Sequence, residues 1–343
     1  MRAIVFEKIS QNERVLKMSL PLLFVIYFAL AFVVVVLSTK LADYVDLIDK
    51  KTEISGAFIG GVILAAVTSL PELFTSISSV ALVNSPELVI GNILGSNIFN
   101  MTILGAIVLI CAGSFSKAVV GKSHLKTIAF TTIMFVAMYF AINLELDFTV
   151  ANISVYSLFI TVAYILSIKL MAGDDAQSSD EECTSNLTLK QIIIRFVICA
   201  VLLVAASIFI TKITDQLQTS LDLGATLAGA VFLGVATSLP ELTSCIALAK
   251  KRNYNACVGN ILGSGMFNFF IMAVSDVIYR KGSVYISSKQ SAILNACCLM
   301  SAALVILLLS FKNTAKEGSN RTLLYRLLGL GIVGAYVLFL VMS

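Results

Sequence analysis

Apolar runs of about twenty residues follow one another through nearly the whole chain, and no other feature limits its fold so severely. About 30 Å of hydrocarbon takes about 20 residues at helical rise. Lipid offers no hydrogen-bond partners, so a run of that length must satisfy its backbone internally, as a helix. Ten such spans are read, at 19–38, 56–82, 87–112, 127–146, 149–171, 191–213, 224–249, 254–278, 289–311 and 323–342. Composition agrees: 58% of the 343 residues are hydrophobic and 13% charged, whereas soluble domains carry about 25% charged residues. The expectation is an all-α polytopic membrane protein, multi-pass in the cell's inner (plasma) membrane. Residues 1–18 are polar and mixed in charge, and no small-residue cleavage site closely follows the first apolar run, so no cleavable signal is expected.

The spans repeat. TSLPEL at 68–73 returns at 237–242, and VIGNILGSNIFN at 89–100 is answered by VGNILGSGMFN at 258–268. A long polar interruption, 172–190, lies between spans five and six. The chain therefore divides into a tail (1–18), a first five-helix repeat (19–171), a linker (172–190) and a second five-helix repeat (191–343). Five is odd, so the second repeat must enter the membrane from the opposite side. Inverted repeats with interrupted helices at matching places are an architecture of secondary transporters, whose sites lie near the midplane. Loops after odd-numbered spans, with the span ends that flank them, hold 16 of the 24 lysines and arginines, and those after even-numbered spans hold four. The positive-inside rule then puts the odd loops and the linker in the cytoplasm and both termini outside. Arg2, Lys8, Arg14 and Lys17 of the tail run against that bias.

Each TSLPEL sets a proline beside a glutamate inside an apolar run. Proline lacks the N–H and its ring clashes with the carbonyl four residues back. A helix so broken survives in a membrane only where protein or a cavity satisfies the freed carbonyls. Helices 2 and 7 are thus expected to be broken, with carbonyls of Ala65 and Gly234 and their neighbours turned towards a site. Glu72 and Glu241 are the acidic residues deep inside spans, whereas Glu87, Glu145 and Asp276 lie near span ends. A charge at the bilayer centre costs about 3 kcal/mol or more and marks function by default. No lysine or arginine lies deep enough to neutralise either glutamate, so a bound cation is the natural counter-charge. A single buried glutamate serving only packing is an ordinary alternative; two at matching places beside Thr-Ser and Pro argue against it.

Further ligands come from the neighbourhood. Thr68, Ser69, Thr237 and Ser238 stand one helical turn from the glutamates of their own motifs. Ser96 and Asn100 share a helix face, as do Ser264 and Asn268. The set is all oxygen, suited to calcium or sodium rather than to zinc or copper. The seven cysteines form no CxxC pair and read as packing residues, and one histidine, His124, excludes HExxH zinc chemistry. Scattered basic residues exclude a nucleic-acid face. The acidic cluster Asp174, Asp175, Asp180, Glu181 and Glu182 lacks EF-hand spacing and reads as a solvated linker.

The two TSLPE segments, followed by GNILGSNIFN and GNILGSGMFN, resemble the alpha-1 and alpha-2 repeats (here 56–104 and 224–272) of the cation/calcium exchanger superfamily, most nearly its prokaryotic sodium/calcium exchangers. The resemblance covers nearly the whole chain. It implies a midplane site in which Glu72 and Glu241 bind calcium and share it with sodium. Thr68, Ser69, Thr237, Ser238, Ser96 and Ser264 would give hydroxyl or backbone oxygens, Ala65 and Gly234 carbonyls, and Asn100 and Asn268 would close the middle. Two positions depart from the pattern. Asn268 stands where archaeal and potassium-dependent relatives often carry an acid, and Gly265 stands where the second GSN usually has asparagine. The GNxxE motif typical of the proton/calcium branch is missing: GNIL holds leucine at both fourth positions, Leu94 and Leu262, and no glutamate follows.

The implied activity is electrogenic sodium/calcium antiport by alternating access, with Ca2+ and Na+ as substrates and no cofactor. A proton/calcium exchanger is the alternative, because a poorly solvated glutamate can titrate nearer neutrality. A passive channel fits less well, since filters usually sit on an axis between identical chains. A membrane enzyme lacks its residues: there is no GxGD signature and no His or Ser-Lys arrangement.

Overall fold

The computed structural model describes residues 18–52, 66–143, 149–150, 153–171, 187–314 and 321–343. In chain order its helices are α1 (Leu20–Thr52), α2 (Leu70–Val83), α3 (Pro86–Ile110), α4 (Ala112–Lys117), α5 (Ser123–Asn143), α6 (Val155–Met171), α7 (Leu189–Leu221), α8 (Ala225–Thr237), α9 (Leu239–Lys250), α10 (Tyr254–Ile278), α11 (Lys289–Asn313) and α12 (Thr322–Met342). Two short strands, Thr149–Val150 and Ile153–Ser154, pair antiparallel before α6. Among the described residues seven helices are long and apolar enough to cross a membrane, and the bent pair α8–α9 makes an eighth. The expected span at 149–171 is thus shortened by a hairpin, and that at 56–82 is described only from residue 66. Both leave apolar helices shorter than 18 residues, Leu70–Val83 and Val155–Ile168.

Burial sorts the helices into a core and a flank. α3 packs against α8, α10, α11 and α12, and α1 lies along α7. α3 is buried along most of its length. In contrast α1 and α7, each 33 residues, turn Val25, Phe28 and Phe32, and Val197, Val201 and Phe209, outward. Such an apolar exterior is what a lipid-facing helix presents.

The break in the seventh span is sharp: α8 and α9 meet at 45°. Ser238 stands at the corner with φ −91° and ψ 4°. Ser69 has the same conformation, φ −91° and ψ 12°, before α2. In both motifs the proline falls in the first turn of the following helix, where its missing N–H is an orphan anyway. The proline therefore starts a helix more than it kinks one. Five to six residues of wider π-helix, Gly229–Gly234 in α8 and Ser79–Val83 in α2, also flank the motifs. Such bulges place extra carbonyls off the regular ladder. One of them, Phe232, receives the Tyr27 hydroxyl from α1 at 2.8 Å.

Glycine lets α3 and α8 touch backbone to backbone. A Cβ on Gly234 would lie 2.8 Å from the Ser96 nitrogen, and one on Gly95 would overlap the Ala230 backbone. This seam sets Ser96 beside the broken helix. At the opposite extreme a Cβ on Gly113 meets nothing within 4 Å.

Away from the motifs, Asp276 is a buried carboxylate that holds loops together. It accepts from the Ser154 N–H at 2.9 Å, the Ser157 hydroxyl at 2.8 Å and the Val284 N–H at 3.1 Å. The hairpin, α6, the end of α10 and the following loop converge on it.

Two outcomes follow. Gly95→Val should force α3 from α8 and lower the thermal midpoint of the detergent-purified protein, at about 1–3 kcal/mol or more, whereas Gly113→Ala should leave it unchanged. Asp276→Ala strands two backbone donors and should cost about 2–4 kcal/mol by the same assay; an unaltered midpoint would mean the loops hold without it.

Candidate functional site

The two TSLPE motifs meet in the middle of the molecule. Glu72, in the first turn of α2, and Glu241, in the first turn of α9, are both fully buried. Among the described residues no lysine, arginine or histidine pairs with either carboxylate.

Hydroxyls reach both carboxylates. Ser238, from the other motif, donates to Glu72 Oε1 at 3.2 Å. Ser264, from the same repeat as Glu241, donates to Glu241 Oε1 at 3.1 Å. Ser69 and Ser264 are hydrogen-bonded hydroxyl to hydroxyl at 2.9 Å. Ser238 therefore serves the glutamate of the other motif directly, and Ser69 reaches Glu241 through Ser264.

The amides complete the cluster. Ser96 lies 3.3 Å from both the Gly234 carbonyl and the Thr237 hydroxyl. Asn100 Nδ2 lies 3.4 Å from Ser264 Oγ. Asn268 Nδ2 donates to Asn97 Oδ1 at 2.9 Å. The Gly234 carbonyl faces this cluster as expected, though it also takes the Ser238 N–H at 3.3 Å. Ala65 lies outside the described residues; of the eight other side chains named from sequence, Ser69, Ser96, Asn100, Thr237, Ser238 and Ser264 are tied by hydrogen bonds into one cluster with the two glutamates, Thr68 precedes the Ser69 corner and Asn268 lies one turn beyond Ser264.

Four oxygens in this cluster have no hydrogen-bond partner and no access to solvent: Glu72 Oε2, Glu241 Oε2, Asn100 Oδ1 and Asn268 Oδ1. A buried acceptor left bare costs about 1–3 kcal/mol, more when charged. Two carboxylate and two amide oxygens converging among hydroxyls can offset that cost by coordinating a hard cation. Among the described residues no three His, Cys, Asp or Glu side chains cluster, so the donor set is not that of a zinc or copper centre.

Sequence reasoning passed over Asn92, which orders the first half of the site. Its amide donates to the Glu72 carbonyl at 3.2 Å, Thr75 Oγ1 at 2.9 Å and Ser76 Oγ at 2.8 Å, and its Oδ1 accepts from Thr237 at 3.5 Å. The signal was present: Asn92 and Asn260 hold the same place in the repeated GNILGS. The second copy is poorer, since Asn260 reaches only the Cys245 thiol, at 3.7 Å, where the first has Ser76. Ser38, which reaches the Thr68 carbonyl from α1 at 3.4 Å, carried no such signal.

Comparison with known proteins places this cluster in context. The chain is 24% identical over 239 residues to inner membrane protein YrbG of Escherichia coli, covering 66% of this chain and 70% of that one. It is 24% identical over 284 residues to the putative antiporter CaxA of Alkalimonas amylolytica, covering 80% and 85%. Among solved structures it resembles the sodium-calcium exchanger NCX_Mj with TM-score 0.58 and 20% identity, over 92% of this chain and 97% of that one. It resembles the H+/Ca2+ exchanger CAX with TM-score 0.65 and 12% identity, over 93% and 90%. At such identities the likeness is one of fold. The model of the sodium/calcium exchanger protein family matches residues 20–171 and again 191–343, and with both glutamate motifs inside those matches the chain belongs to the sodium/calcium exchanger family of membrane antiporters.

Proposed function

We propose that the protein exchanges sodium for calcium by alternating access, binding both at the Glu72–Glu241 cluster. The observation that carries this reading is the set of four buried, unpartnered oxygens around two carboxylates with no basic neighbour. One calcium, or sodium ions sharing the same oxygens, would neutralise the pair. Competition for one set of ligands converts a sodium gradient into calcium movement, provided the ions favour the inward- and outward-open states differently. Thr68, Ser69, Ser96, Thr237, Ser238 and Ser264 would add hydroxyl oxygens, Gly234 and Ala65 carbonyls, and Asn100 and Asn268 the amides. No cofactor enters this scheme.

The architecture that goes with it is ten spans in two inverted five-helix repeats joined by a cytoplasmic linker, with both termini outside. Matching serine corners at Ser69 and Ser238 support the inversion, since inverted repeats place interrupted helices at corresponding positions. Sodium is favoured over protons because GNILG has Gly95 and Gly263 where the proton-coupled branch typically has an acid.

Calcium uptake into sodium-loaded proteoliposomes diluted into sodium-free buffer tests the reading. Uptake should require internal sodium, persist with a proton uncoupler and vanish in the Glu72→Gln, Glu241→Gln double variant. Uptake that follows an imposed pH gradient and ignores sodium would assign the protein to proton coupling instead. A second measurement probes the hydroxyls bonded to the two carboxylates. Ser238→Ala and Ser264→Ala should each raise the calcium half-saturation by about tenfold or more, the worth of one hydrogen bond to a charged group. Unchanged half-saturation in both would remove those hydroxyls from the site.

A further inference from the structure

We propose that Asn97, whose counterpart in the second repeat is Gly265, is a positioning residue that aims the oxygen of Asn268 at the bound cation. This rests on the exchange reading above. Asn97 is 2% exposed, sits on α3 beside Ser96, and has one hydrogen-bond partner, Asn268, whose Nδ2 donates to its Oδ1 at 2.9 Å. A side-chain amide has donors on one arm and an acceptor on the other. With its nitrogen tied back to Asn97, Asn268 is left with Oδ1 bare and buried. Asn268 lies one turn beyond Ser264 on α10, on the same face as the hydroxyl bonded to Glu241. Were the amide turned over, its two N–H groups would meet the cation, and a hard cation takes lone pairs.

The other repeat shows what happens without this tether. Asn100 is the counterpart of Asn268, and the residue placed to tie it would be 265, a glycine with no side chain to offer. A Cβ at Gly265 would sit at an ordinary 3.5 Å from Asn97 Oδ1, and a cavity of about 10 Å³ opens there between Asn97, Thr131, Phe135 and Leu262. Asn100 is instead held by Ser264 Oγ at a long 3.4 Å, and that hydroxyl is already engaged by Ser69 and Glu241. One amide of the pair is thus firmly oriented and the other loosely. This Asn-to-Gly difference adds to that of Ser76 and Cys245 in making a nearly two-fold site asymmetric.

A double-mutant cycle on reconstituted protein tests this. Asn97→Leu keeps a side chain of similar shape and removes the acceptor. Calcium half-saturation and maximal rate are measured for uptake driven by the sodium or the pH gradient, with thermal midpoints of the purified proteins alongside. Asn97→Leu should raise half-saturation about tenfold, as one misaimed ligand implies, and leave the maximal rate within about threefold. In an Asn268→Ala background the same change should add less than about twofold, since the group it orients is gone. Should leucine prevent folding, Asn97→Ala runs the same cycle. Equal fold-changes in the two backgrounds, or a half-saturation within twofold of wild type for the single variant, would overturn the positioning role while leaving exchange intact. Wild-type protein that moves no calcium under either gradient would overturn the exchange reading, and this inference with it.

Discussion

Two carboxylates buried in apolar protein with no basic side chain beside them make a demand that the surrounding structure is arranged to meet. Each glutamate has one oxygen bonded to a serine, Glu72 to Ser238 of the opposite repeat and Glu241 to Ser264 of its own, and one left bare. Bringing those serines within reach requires both helices to turn at the residue before Leu-Pro-Glu. It also requires α3 to lie against α8 closely enough that glycine alone fits the seam. The helix breaks, the π-helical turns and the glycine contacts are consequences of placing oxygen around negative charge where water is absent.

Asp276 makes the point by contrast. It is as deeply buried as the two glutamates, yet both its oxygens accept protein hydrogen bonds, from two backbone N–H groups and a serine. A satisfied carboxylate of this kind is an anchor, and it has nothing left to offer an ion. Burial alone did not separate these three acids; the partner on each oxygen did.

The hydroxyls that cross between the repeats also bear on coupling. Because Ser238 bonds Glu72 and Ser69 bonds the Ser264 that serves Glu241, a displacement of one repeat against its partner alters the surroundings of both glutamates. Occupancy of the site and the relative position of the halves are then linked energetically, as an exchanger requires. α1 and α7 are placed to take part: Tyr27 and Ser38 of α1 bond the carbonyls of Phe232 and Thr68, and Thr211 of α7 reaches the Thr75 carbonyl at 3.5 Å. The same helices also pack on the broken ones, with Phe24 and Tyr27 edge-on to Phe232.

Much of this was legible in the residues themselves. Hydrophobic run length, the doubled TSLPEL and GNILGS, and two acids without basic neighbours identified a membrane-spanning helical protein, its family and the cluster of side chains that share its centre, because lipid leaves a chain few options and a repeated costly feature has few causes. The partnering within that cluster belonged to the tertiary structure. That Ser238 bonds Glu72 and Ser264 bonds Glu241, that Asn92 organises one half while Asn260 meets only a thiol, and that Asn97 holds Asn268 are contacts across 15 to 171 residues of chain. A hydrogen bond is decided within a few tenths of an ångström, a precision that periodicity along one helix does not carry once that helix is broken and its neighbour comes from the other repeat.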